Sequence, residues 1–224
     1  MISKIDLQAA LNKLYSMHQF NVKLGLESIQ KLMKHLGSPH EKFHSFHIAG
    51  SNGKGSTASF MASILTEAGY RTALYTSPHF VRFNERVRVN GAEIPDDYIA
   101  EFISDLTPYI DKHEPTFFEI TTALAFKYFA ESNLDYAVIE TGLGGRLDAT
   151  NVIIPEASVI TSISKEHTNI LGKDISTIAY EKGGIIKKGV PLFIGRMPEE
   201  AANRIKNMAA EKGSRLFELD KYVS

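Results

Sequence analysis

Apolar positions set the frame of the chain. Leu7, Leu11, Leu14 and Tyr15 recur at helical spacing and predict an amphipathic helix over 6–20. Leu26, Ile29, Leu32, Met33 and Leu36 predict a second helix, stopped by Gly37, Ser38 and Pro39. A short apolar strand over 43–49 then runs into a glycine-rich turn. A helix follows through Phe60, Met61, Ile64 and Leu65 and ends at Gly69, before a strand over 71–75. This strand–helix–strand order is a βαβ unit, the building block of parallel sheets.

The rest of the chain continues in the same way. Residues 77–95 read as loop, with a hairpin across Arg86–Gly91 marked by its Asn90-Gly91 pair. Residues 96–110 predict a helix capped by Asp96 or Asp97. Residues 117–129 predict a buried one, because they are apolar all round. Strands are expected over 136–140, 158–163, 191–194 and 215–219, with helical segments over 175–186 and 198–212. No repeat, low-complexity tract or linker divides the chain. The expected fold is α/β, a mostly parallel sheet flanked by helices.

Composition narrows the function classes. The 224 residues carry 25 Lys+Arg against 26 Asp+Glu, for a net charge of −1, with 43% hydrophobic residues and no cysteine. Balanced charge and ample apolar content exclude a disordered tail. The lack of cysteine excludes a disulfide scaffold. There is no basic excess to hold nucleic acid, no apolar run long enough to span a membrane, and no secretory h-region at Met1–Asp6. The expectation is a soluble, cytoplasmic, globular protein.

Candidate chemistry lies at strand ends. In His47–Thr57 an apolar strand feeds Gly50-Ser51-Asn52-Gly53, and a helix begins near Lys54. The amides of such a turn and the helix N-terminus favour a phosphate. Lys54 supplies a point charge, and the Ser56 hydroxyl can reach Mg²⁺. The match to G-x-x-x-x-G-K-[ST] is not literal: Ile48 stands at the first Gly, and Gly55 separates Lys54 from Ser56. Glu140, ending a buried strand before Gly142, Gly144 and Gly145, offers hard oxygen to Mg²⁺. Arg146 and Asp148 read equally as a structural ion pair. His167 follows another strand and is a possible ligand or a structural histidine. Glu181 and Lys182 together read as a solvated helix pair.

Five stretches together resemble the folylpolyglutamate synthase/dihydrofolate synthase branch of the Mur ligase superfamily. They are Ala49–Ser56, Tyr75–Arg86, Phe118-Glu119, Glu140–Asn151, and His167 with Glu181–Lys187. The resemblance implies a P-loop-containing, Mur-ligase-like ATPase domain. It implies an ATP- and Mg²⁺-dependent ligase that activates a carboxylate as an acyl phosphate and joins it to L-glutamate. The acceptor would be a reduced folate or dihydropteroate.

By motif, Ser51, Asn52, Gly53, Lys54, Gly55 and Ser56 would meet ATP, and Ser77, Glu140 and His167 would hold the metal. Lys182 matches a lysine carbamylated in this family, and Lys54, Lys182 and His167 are the catalytic candidates. The pterin would meet Ser16, Met17, His18 and Gln19, then Thr116, Phe117, Phe118 and Glu119, and Leu147, Asp148 and Ala149, with Phe117 and Phe118 packing on the ring. Ser51 stands where Thr is usual, Glu166 where Asp is, and Gly183 where Ala is. Family members are longer and add a C-terminal Rossmann-like domain. The resemblance therefore implies that residues 1–224 are the N-terminal, incomplete ATP-binding domain, without the glutamate ligase domain, and a monomer. Two alternatives remain: another Mur-type amide ligase, or a nucleotide- or folate-binding fragment without turnover.

Overall fold

The computed structural model describes residues 7–17 and 25–221; His18 and Gln19 of the substrate candidates lie outside the described residues. Eight strands form one sheet in the order β4-β3-β2-β5-β1-β6-β7-β8. They are β1 (Ser45–Ala49), β2 (Thr72–Tyr75), β3 (Val87–Val89), β4 (Ala92–Glu93), β5 (Tyr136–Glu140), β6 (Ala157–Ile160), β7 (Leu192–Ile194) and β8 (Leu216–Glu218). Six strands run parallel, and β3 and β4 add an antiparallel edge. Strand β1 lies between β5 and β6. The chain moves from β1 to one side of the sheet and returns to the other, so β1 borders the switch point where ligands bind in open α/β sheets.

Helices α1 (Leu7–Ser16), α2 (Glu27–His35), α4 (Asp96–His113), α5 (Phe117–Glu131), α7 (Ile175–Gly183) and α8 (Glu199–Glu211) supply two large cores. Helix α6 is one short turn, Thr168–Leu171. Alternation along the strands explains the layering. Ala137, Ile139, Ala49, Ile160, Leu192 and Ile194 point into those cores, whereas Ile48 and Val138 meet α3 (Lys54–Glu67) on the other face. Beside α3 that face is only half covered, and Phe193 is 43% exposed. No helix among the described residues is long and apolar enough to cross a membrane.

Local chemistry sets the element ends. Asn90 and Gly91 both take positive φ, 48° and 77°, as the expected two-residue hairpin requires. Helix α5 begins in a capping box: Glu119 N–H donates to Thr116 Oγ1, and Thr116 N–H donates to Glu119 Oε2 at 2.6 Å. Helix α4 departs from expectation at both ends. Pro95 precedes it, and neither Asp96 nor Asp97 caps it; they sit in its first turn, where the helix dipole favours a carboxylate. It then passes Pro108 to His113 because the Ile99, Ile103, Leu106 and Ile110 stripe stays buried. Several strands are shorter than expected. β1 and β6, for instance, begin or end where pairing does rather than where apolar residues do.

One buried polar chain crosses the core. Thr150 Oγ1 donates to Asp148 Oδ1 at 2.5 Å, so it accepts from His47 Nε2 at 2.8 Å. His47 Nδ1 is then a buried acceptor with no partner among the described residues. Burial first, then the charge of Lys187, pushes the His47 pKa down to about 3. The unfolded chain therefore binds a proton near pH 6.5 that the folded chain refuses until about pH 3. Stability is expected to fall as pH drops through that window. Urea unfolding at pH 7 and pH 4 should show a smaller loss in His47→Gln than in the wild type, and equal losses would contradict it.

Candidate active site

The loop after β1 is shaped by one close approach. Gly50 has φ 151°, and a Cβ there would lie 2.0 Å from Thr161 Oγ1, just beyond β6. That contact stitches two strand ends together. Ser51 N–H donates to Ser162 O at 2.8 Å and Asn52 N–H to Ser162 Oγ at 3.0 Å. The Ser51 hydroxyl accepts from Ser164 N–H at 2.9 Å and donates to Ser164 O at 3.2 Å. Ser51 and the Asn52 backbone thus fasten the loop. The amides from Gly53 onward, with those of the first turn of α3, stand at the open helix end, where no intrahelical acceptor exists. Gly53 takes φ 81° to turn the chain into α3.

Three charged side chains converge on this loop. Lys54 Nζ donates to Gly50 O at 2.9 Å and to Ser51 O at 3.2 Å. Lys182 Nζ donates to the same Gly50 O at 2.8 Å and to Glu166 Oε1 at 2.7 Å. Glu140, at the end of β5, abuts the start of α3: a Cβ on Gly55 would lie 3.4 Å from its Oε2.

Lys182 corrects the expectation of a solvated Glu181–Lys182 pair. Lys182 is 1% exposed, on the inward face of α7. Burial pushes its pKa down, against the pull of Glu166. Burial raises Glu166, but the hydrogen bond and charge of Lys182 prevail and hold it below the usual carboxylate range. Glu181 instead pairs with Arg146, whose Nη2 lies 2.9 Å from Oε1.

Arg146 and Asp148 accordingly do not pair. Asp148 Oδ2 accepts from Gly142 N–H at 2.9 Å and Leu143 N–H at 2.8 Å, while Oδ1 accepts from Thr150 N–H and its hydroxyl. The carboxylate organises the whole glycine-rich turn. Glycine at 142 lets the Phe118 ring lie against this turn: a Cβ there would sit 2.4 Å from its Cζ.

The candidate pterin wall is partly committed to structure. Phe117 is 5% exposed and stacks on Tyr15 at 5.8 Å, so it belongs to the core, not to a free ring-packing surface. Phe118 and Leu147 are half-buried and accessible. Thr116 and Glu119 cap α5, and Ala149 is buried. Ser16 ends α1, donating its hydroxyl to Lys13 O at 2.6 Å, and Met17 packs at the edge of the large core.

Of the metal candidates, Ser77 and Glu140 meet: Ser77 N–H donates to Glu140 Oε2 at 3.0 Å. Burial pushes Glu140 up, moderated by that bond and by Lys54. A buried carboxylate raised in this way favours a cation beside it. Mg²⁺ needs one or two such oxygens and takes the rest from water and phosphate, so Glu140 fits it. His167 is exposed at the start of α6 with φ 46°. Among the described residues no group of three or more His, Cys, Asp or Glu forms a metal cluster.

Two side chains were given no site role by the sequence reading, although Glu166 stood out as a departure and Arg86 closed one of the matching stretches. Glu166 gains its role only through Lys182, 16 residues away. Arg86 lies buried under Phe117, with its Cζ 5.4 Å from the ring centre. The signals were its place at the end of the Tyr75–Arg86 stretch and directly before the apolar strand positions Val87 and Val89. Glu85 holds the preceding turn by accepting from the amides of Phe80, Val81 and Arg82, which keeps its pKa down at about 2.

Comparison with known proteins fits this geometry. The Mur ligase middle domain matches residues 48–221. The dihydrofolate synthase/folylpolyglutamate synthase of Bacillus subtilis is 45% identical over 209 residues, covering 90% of this chain and 49% of that protein. The apo form of L. casei FPGS superposes with a TM-score of 0.91 at 34% identity, covering 95% of this chain and 54% of that one. E. coli FolC in complex with DHPP and ADP superposes with a TM-score of 0.87 at 39% identity, covering 95% and 51%. The chain spans about half the length of the curated relatives it matches.

Proposed function

Since the chain belongs to the Mur ligase family, we propose that it carries the phosphate- and metal-binding part of an ATP-dependent ligase that adds L-glutamate to a reduced folate or to dihydropteroate. One observation carries this reading. The Gly50 carbonyl accepts both Lys54 and Lys182, while the Glu140 carboxylate faces the start of α3. The Lys54 cation, a carboxylate and an open helix N-terminus at one point are what phosphoryl transfer from ATP needs. The relatives named after these activities, and the ADP in the E. coli complex, support it.

In this reading the amides from Gly53 to Ser56 hold the phosphates, and Lys54 neutralises the outer one. Glu140, with Ser77 beside it, would hold Mg²⁺, which supplies charge neutralisation when bound. His167 would join from the segment after β6. The acceptor carboxylate attacks the γ-phosphorus and ADP leaves. The glutamate amine then attacks the acyl carbon, phosphate departs and the amine loses a proton. Lys182, buried beside Glu166, is the site for carbamylation, in which the neutral amine adds to CO₂ and releases a proton. Burial favours that neutral amine. Phe118, Leu147 and the Asp148-held turn form the pterin side.

Thermal shift tests the reading. A non-hydrolysable ATP analogue with Mg²⁺, and separately dihydropteroate or tetrahydrofolate, should each raise Tm by about 5–10 °C near 100-fold excess over Kd. Stabilisation by a UDP-sugar peptide alone would point to a different Mur-type ligase.

A further inference from the structure

Arg86 is a buried cation with no ion pair among the described residues. It is 6% exposed, and its only side-chain hydrogen bond among the described residues runs from Nε to His79 Nδ1 at 2.7 Å. An imidazole nitrogen that accepts carries no proton, so His79 is neutral and brings no negative charge. Phe117 covers one face of the guanidinium. Tyr15 and Tyr75 are its other polar neighbours, and burial pushes the Tyr75 phenol further up from its ordinary value. The nearest carboxylate influence is Glu140, and the two form no ion pair. A buried charge without a partner is costly. The guanidinium fork is used on one nitrogen only, and neither Nη1 nor Nη2 is a sealed, unsatisfied atom.

Its surroundings tie it to the site. The Arg86 carbonyl accepts from Thr76 N–H at 3.0 Å, one residue before Ser77, whose own amide holds Glu140. The guanidinium packs on Phe117 and feels the charge of Glu140, at the metal end of the site.

We propose that Arg86 grips the substrate carboxylate that is converted to the amide, through Nη1 and Nη2. A planar guanidinium matches a carboxylate with two parallel hydrogen bonds, and the low-dielectric setting strengthens them. The grip would hold the attacking oxygen toward the phosphate loop and release it once the acyl group is neutralised by amide formation. This inference rests on the ligase reading above. The carboxylate could be the benzoate of a pteroate or the side-chain carboxylate of a pteroylglutamate; both present the same group to Arg86.

Binding separates these possibilities. Pteroate and pteroylglutamate are each titrated beside the primary amide of the same carboxylate, with a non-hydrolysable ATP analogue and Mg²⁺ present. The wild type is expected to bind the acid of at least one pair about 10- to 100-fold more tightly than its amide, and that pair identifies the source. In Arg86→Gln the acid should fall to the affinity of its amide, while amide and ATP-analogue affinities stay unchanged. Arg86→Lys keeps the charge without the fork and should lose most of the preference; it decides the matter if Arg86→Gln does not fold. Equal wild-type binding of acid and amide overturns the inference and leaves the ligase reading standing. A preference that survives Arg86→Gln overturns it too, as does a parallel loss of acid and amide binding. A wild type that takes the ATP analogue but no pteroyl compound overturns both.

Discussion

Replacing Lys54 by alanine is expected to weaken binding of a non-hydrolysable ATP analogue by at least about 100-fold, or about 2.7 kcal/mol. Lys54 opens α3, and its ammonium lies over the glycine-rich loop on the carbonyls of Gly50 and Ser51. A triphosphate facing Glu140 without that cation would meet one carboxylate and only the partial charges of a helix end. The fold should suffer much less. Lys54 is part-exposed, so water can take the place of its ammonium at the two carbonyls. Calorimetric titration with the analogue, beside a melting curve, separates the two effects. Unchanged affinity would remove the loop from the nucleotide site.

Gly50→Ala is expected to be the opposite kind of change, costly to the fold itself. A Cβ at Gly50 would lie 2.0 Å from Thr161 Oγ1 and 3.2 Å from Ser162 N, at a φ of 151°. Neither neighbour can retreat easily, because Ser162 O accepts from Ser51 N–H and Thr161 N–H donates to Ala49 O. A loss of about 2–4 kcal/mol follows from overpacking and strain together. The nearby Gly53→Ala makes the control. Its φ of 81° is also left-handed, but nothing lies within 4 Å of the added Cβ. It should cost only about 1 kcal/mol. Urea unfolding midpoints decide. Equal losses at the two glycines would mean that conformation, not the contact with β6, governs the loop. Because Gly50 O anchors both Lys54 and Lys182, nucleotide affinity should fall further in Gly50→Ala than in Gly53→Ala.

The order of elements, the Asn90-Gly91 hairpin, the buried α5 and the start of α3 at Lys54 were all legible in the residues. Each rests on a local rule: apolar period, turn chemistry, or a glycine turn before a helix. Local rules failed where a partner comes from far along the chain. Lys182 beside Glu181 looks like a solvated helix pair, yet α7 turns Lys182 inward to Gly50 and Glu166 and leaves Glu181 to Arg146. Asp148 looks like the partner of Arg146, two residues away, but instead gathers the amides of Gly142, Leu143 and Thr150. Phe117 and Phe118 are neighbours of one type, and only packing puts the first in the core and leaves the second accessible against Gly142.

The sequence by itself determined the α/β class, the glycine-rich loop after β1 with its lysine, and a carboxylate at the end of a buried strand. These depend on periodicity and on the intrinsic geometry of glycine and charged side chains, which travel with the residues. The tertiary structure decided which charges meet. It put Lys54 and Lys182 on one carbonyl, set Glu140 against α3, and left Arg86 buried with no ion pair among the described residues. The reason is the strand order: placing β1 between β5 and β6 brings the ends of three distant segments together. Coulomb and desolvation energies depend on separation in space and on burial, and neither is written in the spacing of residues along a chain.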